Sequence, residues 1–310
     1  MTSTTQHHPS VYEGSFSGAN NLKLFYRSWY PAAELSASAV NNPVEKTVRR
    51  SAIKGVLALV HGLGEHSGRY CAVFKSLTAA GYAVFAFDNQ GHGKSEGQRG
   101  HITRWQNYRD NIEAFLQLVR KQEPTAPLCL MGDSLGGLIV LDYILRNGSV
   151  NPTDIGGVVV SAPPVQPCSG TVSKARVLLA QTLSGLFPRF PMKMDLNGGE
   201  LSRDQQVASD AEDDPLNHPY VTLRWGSETL NTMKWVRSHI SMLQLPILLI
   251  HGDADPIMDY EGSCEIFEQI NSAKKTLKIY EGSYHEPHND LDADIVMSDL
   301  VSWLNQTLVS

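Results

Sequence analysis

The residue types best suited to covalent chemistry in this chain fall in four short loops. Gly132-Asp133-Ser134-Leu135-Gly136 stands between a short apolar run, Leu128 to Met131, and a longer apolar segment, Leu135 to Arg146. G-x-S-x-G between a strand and a helix sets a serine on a tight, strained turn, and the glycines remove Cβ atoms that would collide. A serine hydroxyl is a weak nucleophile unaided, so it needs a histidine base and an acid to orient that base. Two later loops carry both types: His251-Gly252-Asp253-Ala254-Asp255-Pro256 and Glu281-Gly282-Ser283-Tyr284-His285. Asp255 and His285 are the chosen acid and base. Asp253 and Asp259 compete for the first role, although loop aspartates most often cap turns and helices. His288 reads as a surface residue or a neighbour of the base. Attack on a carbonyl passes through an oxyanion, which two aimed backbone N–H groups stabilise. The amide of Leu135 is one candidate donor, and the amide of Leu63 in the Gly-rich loop Val60 to His66 is the other. A flexible turn is the plainer reading of that second loop.

Such loops must be held at one end of a common scaffold. The alternation around Gly18, Asn20 and Asn21 predicts a hairpin over Tyr12 to Tyr30, followed by a surface excursion from Pro31 to Arg50. Short β-rich runs then alternate with helical segments, the pattern of crossovers around a buried parallel sheet. Strands are expected over Gly55 to Val60, Tyr82 to Phe87, Leu128 to Met131 and Gly157 to Ser161, with helices over Arg69 to Ala80, Trp105 to Lys121 and Leu135 to Arg146. Between Pro163 and Leu245 there are helical stretches and no comparable strand. The rhythm resumes with strands Pro246 to Ile250 and Thr276 to Tyr280 and helices Tyr260 to Ile270 and Asp294 to Leu308. The expected architecture is an α/β core with a mostly parallel sheet, residues 1–164 and 245–310, interrupted once by residues 165–244. Each chemical loop then follows a strand, in the order Ser, Asp, His expected of α/β-hydrolases.

Composition removes other classes. The 310 residues carry 26 basic and 32 acidic side chains, a net charge of -6 that offers no footprint for nucleic acid. No apolar run approaches the roughly 20 residues that span a bilayer. Met1 to Ser10 has neither a basic nor an apolar export region, so a cytoplasmic location is expected. Cys71, Cys129, Cys168 and Cys264 lie far apart without a C-x-x-C, which argues against a metal or disulfide framework.

Three local patterns mimic other chemistries. Gly132-Asp133-Ser134-Leu135 spells a different esterase signature, but it is mid-chain, and Gly282 stands where that family has an aspartate before its histidine. Gly93-Lys94-Ser95 ends like a phosphate loop, yet Asp88 replaces the required first glycine. His285-Glu286-Pro287-His288 has short spacing and a proline, unlike a helical zinc motif.

In combination, His61 to Tyr70 (HGLGEHSGRY), Gly91 to Gly97 (GHGKSEG), Gly132 to Gly137 (GDSLGG) and Leu277 to His285 (LKIYEGSYH) resemble the successive signature blocks of the monoglyceride lipase and lysophospholipase-like branch of the α/β-hydrolase superfamily. The resemblance implies an α/β-hydrolase fold, Ser134 as nucleophile, Asp255 as acid, His285 as base, and Leu63 and Leu135 as oxyanion donors. It also implies a lipid ester substrate, monoacylglycerol foremost, with no metal or organic cofactor. General carboxylesterase, lysophospholipase and acyltransferase activities fit the same triad, and a non-catalytic receptor is the alternative of a different class. Residues 165–244 resemble the family's cap, although only Leu201-Ser202-Arg203 and Asp214-Pro215-Leu216 match it closely. One departure lies beside the nucleophile, where the family usually has histidine and this chain has Asp133. A carboxylate aimed at the site favours charged His285, and one aimed away does nothing.

The cap is electrically divided. Val177, Leu178, Leu179, Leu183, Leu186 and Phe187 are flanked by Lys174, Arg176, Arg189 and Lys193, which suits contact with a lipid surface and equally a helix packed on its own core. An acidic stretch follows, with Asp204, Asp210, Glu212, Asp213 and Asp214.

Overall fold

A computed structural model describes residues 10–32, 53–147, 155–170, 173–194 and 197–309. The expected excursion over 31–50 lies almost wholly outside the described residues, as does most of the polar start. The hairpin forms from β1 (Ser10–Ser17) and β2 (Lys23–Tyr30), which pair antiparallel in unbroken register from Ser10 opposite Tyr30 to Ser17 opposite Lys23. Asn20 and Asn21 turn the chain with positive φ, a conformation asparagine tolerates.

The sheet continues through β3 (Val56–Val60), β4 (Ala83–Phe87), β5 (Leu128–Asp133), β6 (Ile155–Ser161), β9 (Ile247–Gly252) and β10 (Lys275–Tyr280). Its order is β1-β2-β4-β3-β5-β6-β9-β10, with every pair from β4 to β10 parallel. Alternate strand residues feed two cores. Val56, Ala58 and Val60 pack with one, formed with α2 (Gln106–Gln122), α3 (Leu135–Asn147) and α8 (Tyr260–Gln269). Leu57 and Leu59 pack with the other, formed with α1 (Cys71–Ala79) and α9 (Ala293–Leu308). Covering both faces explains why these strands read as continuous apolar runs.

After β6 the chain leaves the sheet and returns at β9, its hydrogen-bonded neighbour. Between them lie α4 (Lys174–Leu183), α5 (Gly198–Leu201), α6 (Gln205–Asp213) and α7 (Leu223–His239). The segment also holds two strands not anticipated from sequence, β7 (Pro191–Lys193) and β8 (Tyr220–Thr222), which pair antiparallel. Three residues are too few for alternation to be read. Among the described residues no helix is long and apolar enough to cross a membrane.

The parallel order concentrates the C-terminal ends of β3, β5, β9 and β10 at one edge, where ligands bind in open α/β sheets. The fit of α3 against β3 is close enough to demand a glycine. A Cβ on Gly136 would overlap the backbone carbonyls of Val60 and His61, which cannot rotate away. Gly136→Ala gains about 1 kcal/mol of helix propensity and loses about 1–3 kcal/mol or more to overpacking. Urea denaturation is expected to show net destabilisation; an unchanged or raised midpoint contradicts this packing.

Candidate active site

Ser134 sits between β5 and α3 with φ of 48°, outside the usual range of a non-glycine residue. The strain is held by its neighbours: its amide donates to Ser161 O at 2.8 Å, and its carbonyl accepts the amide of Leu138 at 3.2 Å. A Cβ on Gly132 would collide with the Gly136 carbonyl, so both glycines of the motif serve the turn.

His285 reaches Ser134 from the loop after β10. Its Nε2 lies 2.9 Å from Ser134 Oγ, and its Nδ1 lies 2.7 Å from Asp255 Oδ2. Asp255 comes from the loop after β9 and is fixed on both oxygens. Oδ1 accepts the amides of Ile257 at 2.8 Å and Met258 at 3.0 Å, while Oδ2 is also 3.0 Å from His251 Nε2. Burial opposes its charge, but the imidazoles of His285 and His251 hold the carboxyl well below the usual carboxylate range. Burial likewise opposes charge on His285, yet the charge and hydrogen bond of Asp255, with Asp133 and Glu286 adding, push its pKa up to about 9. The imidazolium that forms when histidine takes a serine proton is therefore well supported.

The competing aspartates do other work. Asp259 caps α8 by accepting the amide of Glu261, and Asp253 accepts the amide of Gly282 at 2.6 Å. His61 shapes the loop after β3: its Nδ1 donates to Gly62 O at 2.7 Å and its Nε2 accepts the amide of Asn89 at 2.8 Å. Leu63 and Leu135 both line the cavity beside Ser134, and a Cβ on Gly62 would stand 3.3 Å from the Ser134 Cβ. The Gly64 carbonyl accepts the amide of His218 from the segment between β6 and β9, pinning this loop at a left-handed glycine.

Sequence reading missed a buried polar cluster behind the serine. Arg69 forms a two-pronged pair with Glu286, at 2.6 and 2.8 Å, and contacts Glu65 at 2.8 Å. Glu65 in turn accepts the Gly62 amide at 2.6 Å and the Tyr70 hydroxyl at 2.6 Å. His288 is buried rather than superficial, its ring stacked on Tyr70 with centroids 4.9 Å apart. It has no chain-neighbour signal, because its partners come from the loop after β3.

Asp133 points into this cluster. Its Oδ2 lies 3.3 Å from the Tyr70 hydroxyl, whose single proton is already committed to Glu65, and its Oδ1 lies 3.7 Å from His288 Nδ1, beyond hydrogen-bond reach. Burial, with the charges of Glu65 and Glu286, pushes its pKa up to about 6, against the opposing pull of His288 and His285. Ionised above that value, it favours protonated His285. A general base works only when neutral, so kcat/KM is expected to rise with pH as His285 loses its proton. Asp133→Asn moves that limb to lower pH. Asp255→Asn moves it further and lowers kcat by about 10⁴-fold. A limb that stays in place in Asp133→Asn contradicts the assigned coupling.

The site opens into a cavity of about 490 Å³ roofed by the segment between β6 and β9, including Met192, Met194, Leu201, Trp225, Leu230 and Met233. Over 293 residues the chain is 29% identical to the monoacylglycerol lipase of Mycolicibacterium smegmatis, covering 94% of this chain and 96% of that one. It is 31% identical over 258 residues to the monoglyceride lipase of Rattus norvegicus, covering 82% and 84%. The crystal structure of Paleococcus ferrophilus monoacylglycerol lipase superposes with a TM-score of 0.76 at 30% identity, covering 96% of this chain and 99% of that one. Residues 51–292 match the hydrolase family described as serine aminopeptidase, S33. The chain belongs to that family of serine hydrolases and has the α/β-hydrolase fold.

Proposed function

We propose that the protein hydrolyses a lipid-like carboxylic ester, monoacylglycerol foremost, with Ser134 as nucleophile, His285 as base and Asp255 as its orienting acid. The observation that carries this reading is the single imidazole bridging Ser134 Oγ and Asp255 Oδ2 at the wall of a largely apolar cavity. His285 takes the hydroxyl proton as Ser134 Oγ attacks the ester carbonyl, and Asp255 stabilises the imidazolium. The oxyanion rests on the amides of Leu63 and Leu135, a type of donor worth about 3–4 kcal/mol each. His285 then protonates the leaving alcohol. Water repeats the sequence on the acyl-enzyme and frees the acid. Each step is carried by the chain's own groups and water.

The similarity to proteins named monoacylglycerol and monoglyceride lipases supports a glycerol ester as substrate. The cavity agrees: methionine, leucine and tryptophan suit an acyl chain, while Arg69, Glu65 and Glu286 near the serine suit a hydroxylated alcohol. Residues 165–244 serve as a cap over the core of 1–164 and 245–310. Its outer surface supports contact with a lipid surface, since Leu178, Leu186, Phe187 and Phe190 are all more than half exposed, near Arg176 and Arg189 in sequence. Its acidic part is spent locally. Asp204 caps α6, Glu212 accepts the Gly198 amide, and Asp214 bonds His66 at 2.8 Å.

Fluorophosphonate labelling and a panel of monoacylglycerols, lysophospholipids and short esters test the reading. Wild type is expected to label and to turn over monoacylglycerol fastest. Ser134→Ala loses the label and about 10⁴-fold or more of turnover. Retained turnover in Ser134→Ala, or an unlabelled wild type, overturns it. Lipid contact is tested by pelleting with vesicles: wild type sediments, and Leu186→Glu/Phe187→Glu sediments several-fold less. Equal sedimentation of the two, or none by wild type, contradicts surface binding.

A further inference from the structure

The motif Leu201-Ser202-Arg203 takes no part in making or breaking bonds, yet it converges with the His285 loop on one carboxylate. Asp290 has a fully buried side chain. Its Oδ2 accepts the amide of Tyr284 at 2.7 Å, the hydroxyl of Ser283 at 3.1 Å and Nε of Arg203 at 3.0 Å. Its Oδ1 accepts the amides of Arg203 at 2.9 Å and Leu291 at 2.8 Å, with the Ser202 hydroxyl at 3.4 Å. That hydroxyl spends its proton on Asn289 O at 3.0 Å. On the other side of His285, the Glu286 amide donates to Leu201 O at 2.9 Å. The amides of the residues on either side of the histidine are thus held, Tyr284 by Asp290 and Glu286 by the cap motif that Asp290 binds.

We propose that Asp290 is a positioning residue for His285, clamping the loop that carries the histidine to the Leu201–Arg203 segment of the cap. The inference rests on His285 being the base. Charge-assisted hydrogen bonds are shorter and roughly twice as strong as neutral ones. An ionised carboxylate accepts on both oxygens at once, so it can take Tyr284, Ser283 and the two Arg203 donors together. An amide in its place aims its own N–H groups at one set of those donors and pushes that strand of the loop away. A base displaced by about 1 Å loses about 10²-fold in rate. Arg203 also pairs with Asp292 at 2.5 Å, but Asp292 is partly exposed and touches neither Ser283 nor Tyr284 by hydrogen bond. It separates anchoring of the cap from positioning of the histidine.

The test compares Asp290→Asn and Asp292→Asn on a soluble short-chain ester, with thermal unfolding to confirm the fold and a full pH profile. In Asp290→Asn, kcat falls about 30- to 100-fold, while KM changes by much less, because of the clamped motif only Leu201 lines the cavity. The acid limb moves toward the ordinary imidazole value near 6.5 as the ring slackens against Asp255. The other charged groups that favour protonated His285, Asp133 and Glu286, remain in place. Asp292→Asn leaves kcat within about twofold and the limb unmoved, as an exposed ion pair should. A limb and kcat unchanged in Asp290→Asn overturn the proposal, as does an equal loss in Asp292→Asn. Should Asp290→Asn fail to fold, Arg203→Gln opens the clamp from the cap side: kcat falls about tenfold with a limb shift in the same direction, and wild-type values contradict the clamp. Fluorophosphonate labelling and turnover of Ser134→Ala keep the outcomes apart. If that variant is inert and Asp290→Asn matches wild type, only the clamp fails; if Ser134→Ala retains turnover, the triad itself fails.

Discussion

A hydrogen bond of 2.7 Å between His285 Nδ1 and Asp255 Oδ2, taken out of water, is the interaction on which this structure turns. It fixes which ring nitrogen faces Ser134 and supports the charge the ring must carry. In a buried setting each partner alone is costly, since an unpaired carboxylate or imidazolium there has lost its hydration. Together with His251 and two backbone amides, the pair offsets that loss. Its reach depends on two loops, after β9 and β10, meeting a third that leaves β5 through a strained serine. In this sheet the parallel order, with β5 and β9 separated only by β6 and β10 beside β9, brings the three to one edge.

Behind the serine, the chain has built a second buried assembly of opposite character. Among Glu65, Arg69, Tyr70, Glu286, His288 and Asp133, two carboxyls, Glu65 and Glu286, share the Arg69 guanidinium, while the third, Asp133, faces Tyr70 and His288. Asp133 is the least supported of the three, with one oxygen lacking a hydrogen-bond partner. That lack, with burial, explains its raised pKa. Its carboxylate acts on His285 through charge rather than contact. Asp133 therefore favours a charge on His285 while Ser134 keeps its strained turn.

Much of this was legible in the order of residues, for a physical reason. Ser134 follows β5 directly, and Asp255 and His285 lie in the loops that leave β9 and β10, so a short apolar run beside a turn marks all of them, and His285 Nδ1 and Nε2 do face Asp255 and Ser134. Strand and helix positions agreed within one or two residues, the normal scatter of element ends. The supporting contacts were not legible. Arg69 meets Glu286 across 217 residues and Arg203 meets Asp290 across 87, distances at which no local period carries information. Of the two readings of His288, surface residue or neighbour of the base, burial excludes the first, and its stacking partner Tyr70 lies in another loop. The strands β7 and β8 were too short to show alternation. Familiar motifs such as Leu201-Ser202-Arg203 could be seen as motifs, but their use appeared only when the chain closed on itself.

The proposed chemistry requires Ser134 to carry the acyl group during turnover. Rapid acid quenching of the enzyme with a monoacylglycerol, followed by peptide mass spectrometry, reads this directly. The acyl mass is expected on the peptide bearing Ser134 and at that residue. An acyl group found on any other residue during turnover contradicts it.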